Sequence, residues 1–265
     1  METVTSTDGT RIAFWREGSG PPLLMAHGGI CDRFAWYFVV PLLARKFTVY
    51  IFDRRGRGAS GDTPPYAAER EREDIAAILR AIGEPVHLLG HSAGGILALQ
   101  TAERTRDLLS LMLYEPGYII DGAREYPAPE VLKRMQSLLS QGDRDQALRI
   151  AMRESVGASE AEIAALASGP GWTRLLAVAS GIPNDWMLWQ EQFSPEAVRE
   201  IRTPALMLMG TESPAWLRQG TQAVHAALPN AQLKLLPGQG HSAMITGPQL
   251  FAQAVIDFAD ANNHR

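Results

Sequence analysis

Gly90-His91-Ser92-Ala93-Gly94 carries the sharpest chemical signal in the chain. The pentapeptide follows an apolar run, Val86–Leu89, and opens a helix-forming stretch from about Ala93 to Glu103. A serine on such a strand-to-helix turn holds its hydroxyl out at the carboxyl edge of a sheet, and the flanking glycines let the backbone pass closely on both sides. The chemistry this suits is nucleophilic attack on an acyl carbon, once a base takes the proton of Ser92. The base expected is His241, which follows a strand and a Gly-rich loop in Leu235-Leu236-Pro237-Gly238-Gln239-Gly240-His241. The other histidines suit the role less. His225 reads as helical, His87 lies in a strand, His91 points elsewhere on the turn, and His264 is in the tail. A developing oxyanion needs backbone N–H donors. Ala93, at a helix N-terminus, is one candidate. His27-Gly28-Gly29, after the short strand Pro22–Ala26, offers the other, with Gly29 preferred and Gly28 second.

These residues need a scaffold that brings several strand ends to one edge. Residues 1–26 read as three strands separated by turns at Asp8-Gly9 and Gly18–Pro22. A helix is expected over Asp32–Arg45, a strand over Lys46–Phe52, a Gly/Arg/Pro-rich loop over 53–65, and a helix over 66–82 that stops at Gly83. Further strands fall at 86–89, 109–114, 201–210 and 231–236, with helices at about 214–228 and 248–260. Strands alternating with helices at this spacing predict an α/β fold, mostly parallel, with helices on both faces of the sheet. Residues 117–195 break the rhythm. They hold helical patches (130–140, 144–155, 159–167), prolines at 127, 129, 170, 183 and 195, and no convincing strand.

In this order and spacing the motifs resemble the α/β-hydrolase family over nearly the whole chain. His27-Gly28-Gly29 is similar to the family's oxyanion loop. Asp53-Arg54-Arg55-Gly56-Arg57-Gly58-Ala59-Ser60 is similar to its D-x-R-G-x-G-x-S loop, and Gly238-Gln239-Gly240-His241 to its terminal histidine loop. The resemblance implies a core of residues 1–116 and 196–265 interrupted by a helical lid at 117–195. A serine in the elbow, rather than an aspartate, argues against haloalkane dehalogenase and epoxide hydrolase chemistry.

The third member of the catalytic set is a carboxylate that fixes the imidazole tautomer and stabilises its cation. Most of the family places it three residues past a glycine on the strand after the lid. Here that segment reads Met209-Gly210-Thr211-Glu212-Ser213-Pro214, so Glu212 falls one position early. Some relatives use the preceding strand end, which here is Glu115, 23 positions past Ser92. Glu115 is favoured, because an unpartnered carboxylate at a buried strand end is costly. Glu212 stays open as the alternative acid. Asp53 is expected to organise the Arg-Gly loop, and Asp74 and Asp257 to lie on helix surfaces.

The remaining composition limits the substrate and partners. At 46% hydrophobic and 20% charged, the 265-residue chain is not disordered. The net charge of -4 includes no basic tract, so neither nucleic acid nor an anionic membrane is an expected partner. The mixed run Glu69–Asp74 reads as a solvated helix face. Cys31, the only cysteine, excludes an intrachain disulfide and a thiolate metal cage. Neither cofactor nor metal is expected. The polar start and the lack of a roughly 20-residue apolar run read as cytoplasmic. Among Trp172, Trp186, Met187, Trp189 and Phe193, the pair Trp186 and Trp189 best suits an apolar pocket wall, with Phe34 and Trp36 as another wall. The expected substrate is a small, uncharged, largely hydrophobic ester or lactone. C–C bond hydrolysis, cofactor-free perhydrolysis and a receptor-like binding role stand as alternatives, and the oligomeric state is not readable.

Overall fold

The computed structural model describes residues 1–120, 128–156, 158–169 and 171–262. Pro127, Pro170 and His264 lie outside the described residues. Eight strands, β1 (Glu2–Thr5), β2 (Arg11–Glu17), β3 (Pro22–Ala26), β4 (Thr48–Phe52), β5 (Val86–His91), β6 (Leu108–Tyr114), β7 (Ala205–Gly210) and β8 (Ala231–Leu236), form one sheet in the order β1-β2-β4-β3-β5-β6-β7-β8. Only the β1–β2 and β2–β4 pairs are antiparallel; every other pair is parallel. β3, β5 and β7 are buried along their whole length, as strands covered on both faces must be.

The covering helices are α1 (Val40–Leu43), α2 (Ala68–Ile82) and α3 (Ala93–Ala102). Between β6 and β7 the described residues form α4 (Pro129–Ser140), α5 (Arg144–Ala151), α6 (Glu160–Ala167), α7 (Gly171–Val178), α8 (Ile182–Trp189) and α9 (Pro195–Val198). The chain closes with α10 (Ala215–Ala227), α11 (Ala243–Thr246) and α12 (Pro248–Asp260). Side chains alternate across the sheet. Leu24 and Ala26 of β3 join a core with Ile75, Ile78, Ile96, Leu97 and Val224, while Leu23 and Met25 join one with Val40, Leu43, Phe251, Val255 and Phe258. A third core, built on Met135, Leu148, Ile163, Trp172, Ile182 and Trp186, lies among the helices inserted between β6 and β7.

Two sequence expectations need correction. The helix expected over Asp32–Arg45 is instead a 3-10 turn, Arg33–Trp36, followed by the separate α1. Pro41 has no N–H to donate to the Tyr37 carbonyl, so one continuous helix is interrupted there. The run Glu69–Asp74 is not wholly solvated, and Asp74 is not a surface residue. Glu71 and Asp74 are each 1% exposed. They lie on the same side of α2 as Ile75 and Ile78, at helical spacing, and face the arginines of the 53–60 loop. Asp257 is exposed, as expected.

The parallel strands end at one edge, where ligands of open α/β sheets bind. His91 of β5 is in register with Tyr114 of β6, and Tyr114 with Leu208 of β7. Ser92, Glu115 and the loop after β7 therefore emerge side by side. The strand-to-helix turn is tight. A Cβ on Gly94 would lie 2.3 Å from the Ala26 carbonyl oxygen and 2.4 Å from that of His27. Both are backbone atoms, which yield only if β3 shifts. Gly94→Ala is therefore expected to destabilise the fold by about 1–3 kcal/mol or more, read as a lower urea midpoint at unchanged m.

Candidate active site

Three non-glycine residues have positive φ among the described residues: Ile30 (51°), Ser92 (52°) and Glu115 (45°). Each follows a different parallel strand, β3, β5 and β6, at the same edge. Such conformations cost roughly 1–3 kcal/mol apiece, and they persist where the surroundings over-determine them. Ser92 (φ 52°, ψ -118°) is held by its own backbone. Its N–H donates to the Tyr114 carbonyl at 3.0 Å, and its carbonyl accepts from Gly95, Ile96 and Gly117. Its side chain makes no capping hydrogen bond to α3, so the hydroxyl has no structural duty there.

The two candidate acids are placed differently. Glu115 is fully buried, and its Oε2 accepts from Nδ1 of His241 at 2.6 Å. Its Oε1 accepts from the Gly210 N–H at 2.7 Å, so both carboxylate oxygens are engaged. Glu212 is exposed, with its Oε1 3.1 Å from the Thr211 hydroxyl. The structure thus brings Glu115, and not Glu212, to His241. With Nδ1–H donating to Glu115, Nε2 of His241 is left as the acceptor. The histidine loop is anchored from below. The Tyr114 hydroxyl donates to the Gly240 carbonyl and accepts from the Ala243 N–H.

His91 has a place the sequence did not reveal. Its ring lies 4.5 Å from that of His241 and stacks on Tyr114 at 5.2 Å. Burial, and then the neighbouring His241, push its pKa well below the ordinary histidine value. The neutral ring donates from Nε2 to the His241 carbonyl at 2.9 Å. The signal that could have found it is its position in the elbow, next to the serine.

On the other side, His27 is likewise held neutral by burial and by Arg54 and Arg57. Its Nε2 accepts from the Arg54 N–H at 3.1 Å, so its Nδ1 carries the proton and donates to the Gly28 carbonyl at 2.8 Å. Cys31 Sγ also reaches that carbonyl, at 3.3 Å, and burial pushes its thiol up to about 12. Ala93 opens α3, where the first N–H groups have no partner within the helix. Among the described residues, neither the Ala93 nor the Gly29 N–H donates to a protein acceptor.

The aromatic candidates separate. A Cβ on Gly117 would lie 3.4 Å from Trp189 Nε1 and 3.6 Å from Ser92 Oγ, and one on Gly29 only 2.8 Å from Trp189 Cζ2. Trp189 therefore spans from Gly29 to Gly117 beside the serine. Trp186 is buried in the core of the inserted helices, 6.5 Å from Trp189. Phe34, 38% exposed, lies between the guanidinium groups of Arg33 and Arg174 at 4.3 and 3.8 Å. Trp36 corrects the expectation of a pocket wall. It is completely buried, with its ring 6.2 Å from both His91 and Phe251. A large ring at that spacing reads the same whether it faces a pocket or the core beneath it.

Asp53 organises its loop as expected, accepting from the N–H of Arg33 and of Ala59 and pairing with the Arg33 side chain at 2.7 Å. Behind it, Arg55 pairs with Asp74 and Asp8, and Arg54 with Glu71 and Asp185. Burial pushes the Glu71 carboxyl up, but Arg54 outweighs it and holds the group below its usual range. For Asp74 burial wins over Arg55, and the carboxyl is raised. Among the described residues, no three His, Cys, Asp or Glu side chains are placed to share a metal ion, and no helix is long and apolar enough to cross a membrane.

The chain as a whole is similar to known proteins. The family model described as "Alpha/beta hydrolase family" matches residues 23–254. A putative carbamate hydrolase of Pseudomonas savastanoi pv. phaseolicola is 28% identical over 91% of this chain and 94% of its own length. A pimeloyl-[acyl-carrier protein] methyl ester esterase of Aeromonas hydrophila subsp. hydrophila is 28% identical over 93% of this chain and 98% of its own. Among solved structures, an alpha/beta hydrolase from Sphaerobacter thermophilus superposes with a TM-score of 0.89 at 37% identity, covering 97% of this chain and 99% of that one.

Proposed function

The chain belongs to the alpha/beta hydrolase family, and from that membership and the site geometry we propose that it hydrolyses the carboxylic ester or lactone of a small, largely hydrophobic substrate. The observation that carries this reading is the 2.6 Å contact between buried Glu115 and His241, at the strand edge where Ser92 sits in its strained turn. In this mechanism Ser92 Oγ attacks the acyl carbon while Nε2 of His241 takes its proton. Glu115 holds the tautomer and stabilises the imidazolium. The carbonyl oxygen becomes negative and is met by the N–H groups of Gly29 and Ala93, with Gly28 the next candidate. Collapse expels the alcohol, which receives the proton from His241. Water then attacks the acyl-enzyme with the same base and releases the acid, so ester plus water give acid plus alcohol. A lactone passes through the same steps and opens to a hydroxy acid.

Residues 117–195 act as a lid over a core formed by 1–116 and 196–265. The separate apolar core of the inserted helices and the position of Trp189 beside Ser92 support this role. The buried arginines of the 53–60 loop are all engaged by carboxylates, which leaves no free cation in the loop for a charged substrate.

A panel of p-nitrophenyl acetate, butyrate and octanoate with γ- and δ-lactones tests the reading. The expected result is multiple turnover of the short and medium esters or of a lactone. Three results would each overturn it: cleavage of a vinylogous diketone with no ester turnover, peracid formation that needs hydrogen peroxide, or a single turnover with the ligand retained.

A further inference from the structure

Asp185 is a further buried carboxylate behind the site, and it comes from the helices inserted between β6 and β7. It lies on α8, between β6 and β7, in an apolar stretch that includes Ile182, Trp186 and Leu188, and it is completely buried. A charge so placed is costly unless fully partnered. Its Oδ1 accepts from Arg57 at 2.6 Å and from Arg54 at 2.9 Å. Its Oδ2 accepts from the Ile30 N–H at 2.8 Å. Ile30 is a β-branched residue at φ 51°, where such a side chain is a real outlier. Its side chain packs in the core of the inserted helices.

The same Arg54 reaches the loop a second time. While Nε and Nη2 grip Glu71 at 2.7 and 2.6 Å, Nη1 donates to the Gly28 carbonyl at 3.1 Å. A peptide unit is planar and trans, so its C=O and the next N–H point in opposite directions. Holding the Gly28 oxygen therefore aims the Gly29 N–H the other way. Holding the Ile30 N–H fixes the next plane, which carries the Gly29 carbonyl. Gly29 itself, without a Cβ, has little intrinsic preference to hold either plane.

We propose that Asp185 is a positioning residue for the oxyanion hole: through the Ile30 N–H, and through Arg54 on the Gly28 carbonyl, it fixes the two peptide planes on either side of Gly29. The inference rests on the reading above, that Gly29 supplies one of the two donors. It also couples the inserted helices to the chemistry, since the residue that aims the donor belongs to them. The guanidinium on the Gly28 oxygen polarises that peptide and strengthens its N–H as a donor.

Asp185→Asn tests it. An amide can still accept from Ile30, but its NH2 then faces the donors of Arg54 and Arg57. The expected result on p-nitrophenyl butyrate is a kcat about 10- to 100-fold lower, as for a displaced oxyanion donor, with KM within about twofold. The inhibition constant of a phenylboronic acid, whose tetrahedral adduct fills the same hole, should rise by the same factor. Arg54→Lys keeps a charge but cannot span Glu71, Asp185 and Gly28 together, and it carries the same expectation should Asp185→Asn fail to fold. A folded variant with unchanged kcat and boronate affinity overturns the proposal. So does one whose KM changes while boronate affinity does not, because that is the mark of a reshaped pocket. The rate of Ser92 phosphonylation by a fluorophosphonate, followed by intact mass, separates this inference from the substrate reading. Labelling without ester turnover defeats the substrate reading alone. Equal labelling rates in wild type and variant defeat this one.

Discussion

Ser92→Ala is expected to lower kcat on p-nitrophenyl butyrate by about 10⁴- to 10⁶-fold while leaving the fold intact. The size of the loss follows from removing the protein's own nucleophile in the proposed mechanism, the atom that bonds to the acyl carbon in the first step. What remains is the modest acceleration that an oxyanion hole and a binding pocket give to water. The fold should survive for two local reasons. The serine hydroxyl makes no capping hydrogen bond to α3, so no structural partner is orphaned. The turn is held by backbone hydrogen bonds from Ser92 to Tyr114 and from Gly95, Ile96 and Gly117 to Ser92, which alanine keeps. Alanine also meets the same steric cost as serine at φ 52°. Steady-state kinetics, a thermal melt and fluorophosphonate labelling check the three parts. Retained turnover in a folded Ser92→Ala protein would mean that another group is the nucleophile. An unfolded one would mean that the turn depends on the hydroxyl.

How far the site could be read from the sequence depended on whether a residue's role is set locally or by its distant partners. The elbow is local. Its glycines are required because a Cβ at Gly94 would strike backbone oxygens of the β3 segment, and that requirement shows directly as residue type. The alternation of strands and helices is likewise local, and every strand expected from pattern is present, β3 and β8 with the expected ends and β4 to β7 with shifted ones. The choice between Glu115 and Glu212 is not local. Both follow parallel strands at the same edge, and only the register of His91 with Tyr114, and of Tyr114 with Leu208, sets Glu115 facing the histidine loop. The buried ion pairs were misread for a related reason. Glu71 and Asp74 belong to a run of mixed charge, Glu69–Asp74, such as a solvated face carries, and helical period alone cannot tell water from the guanidinium groups of a distant loop. A clue was available in Arg54, Arg55 and Arg57, crowded into a Gly-rich loop that leads from the strand β4 into α2, since three such cations need carboxylates. Asp185 left the faintest trace, one acid in an apolar helical stretch whose partners lie about 130 positions away.

Glu115→Gln is expected to cost about 10³- to 10⁴-fold in kcat with little change in KM, and Glu212→Gln less than about twofold. The argument turns on where one proton sits. Glu115 accepts two hydrogen bonds, from the Gly210 N–H and from Nδ1–H of His241. A glutamine has one oxygen for these two donors. The Gly210 N–H cannot change its nature, so the amide oxygen stays with it and the NH2 turns to His241. Nδ1 must then accept, which moves the ring proton to Nε2. That nitrogen is the one required to take the proton from Ser92, so the base is lost although the geometry is kept. The negative charge that stabilises the imidazolium at a fully buried position is lost as well. Glu212, exposed and hydrogen-bonded to Thr211 beside it, has no such hold on the ring. Kinetics of both variants, with thermal melts to show that each is folded, decide the assignment. A large loss in Glu212→Gln beside an active Glu115→Gln would move the acid to the end of β7 and leave the 2.6 Å contact a structural one.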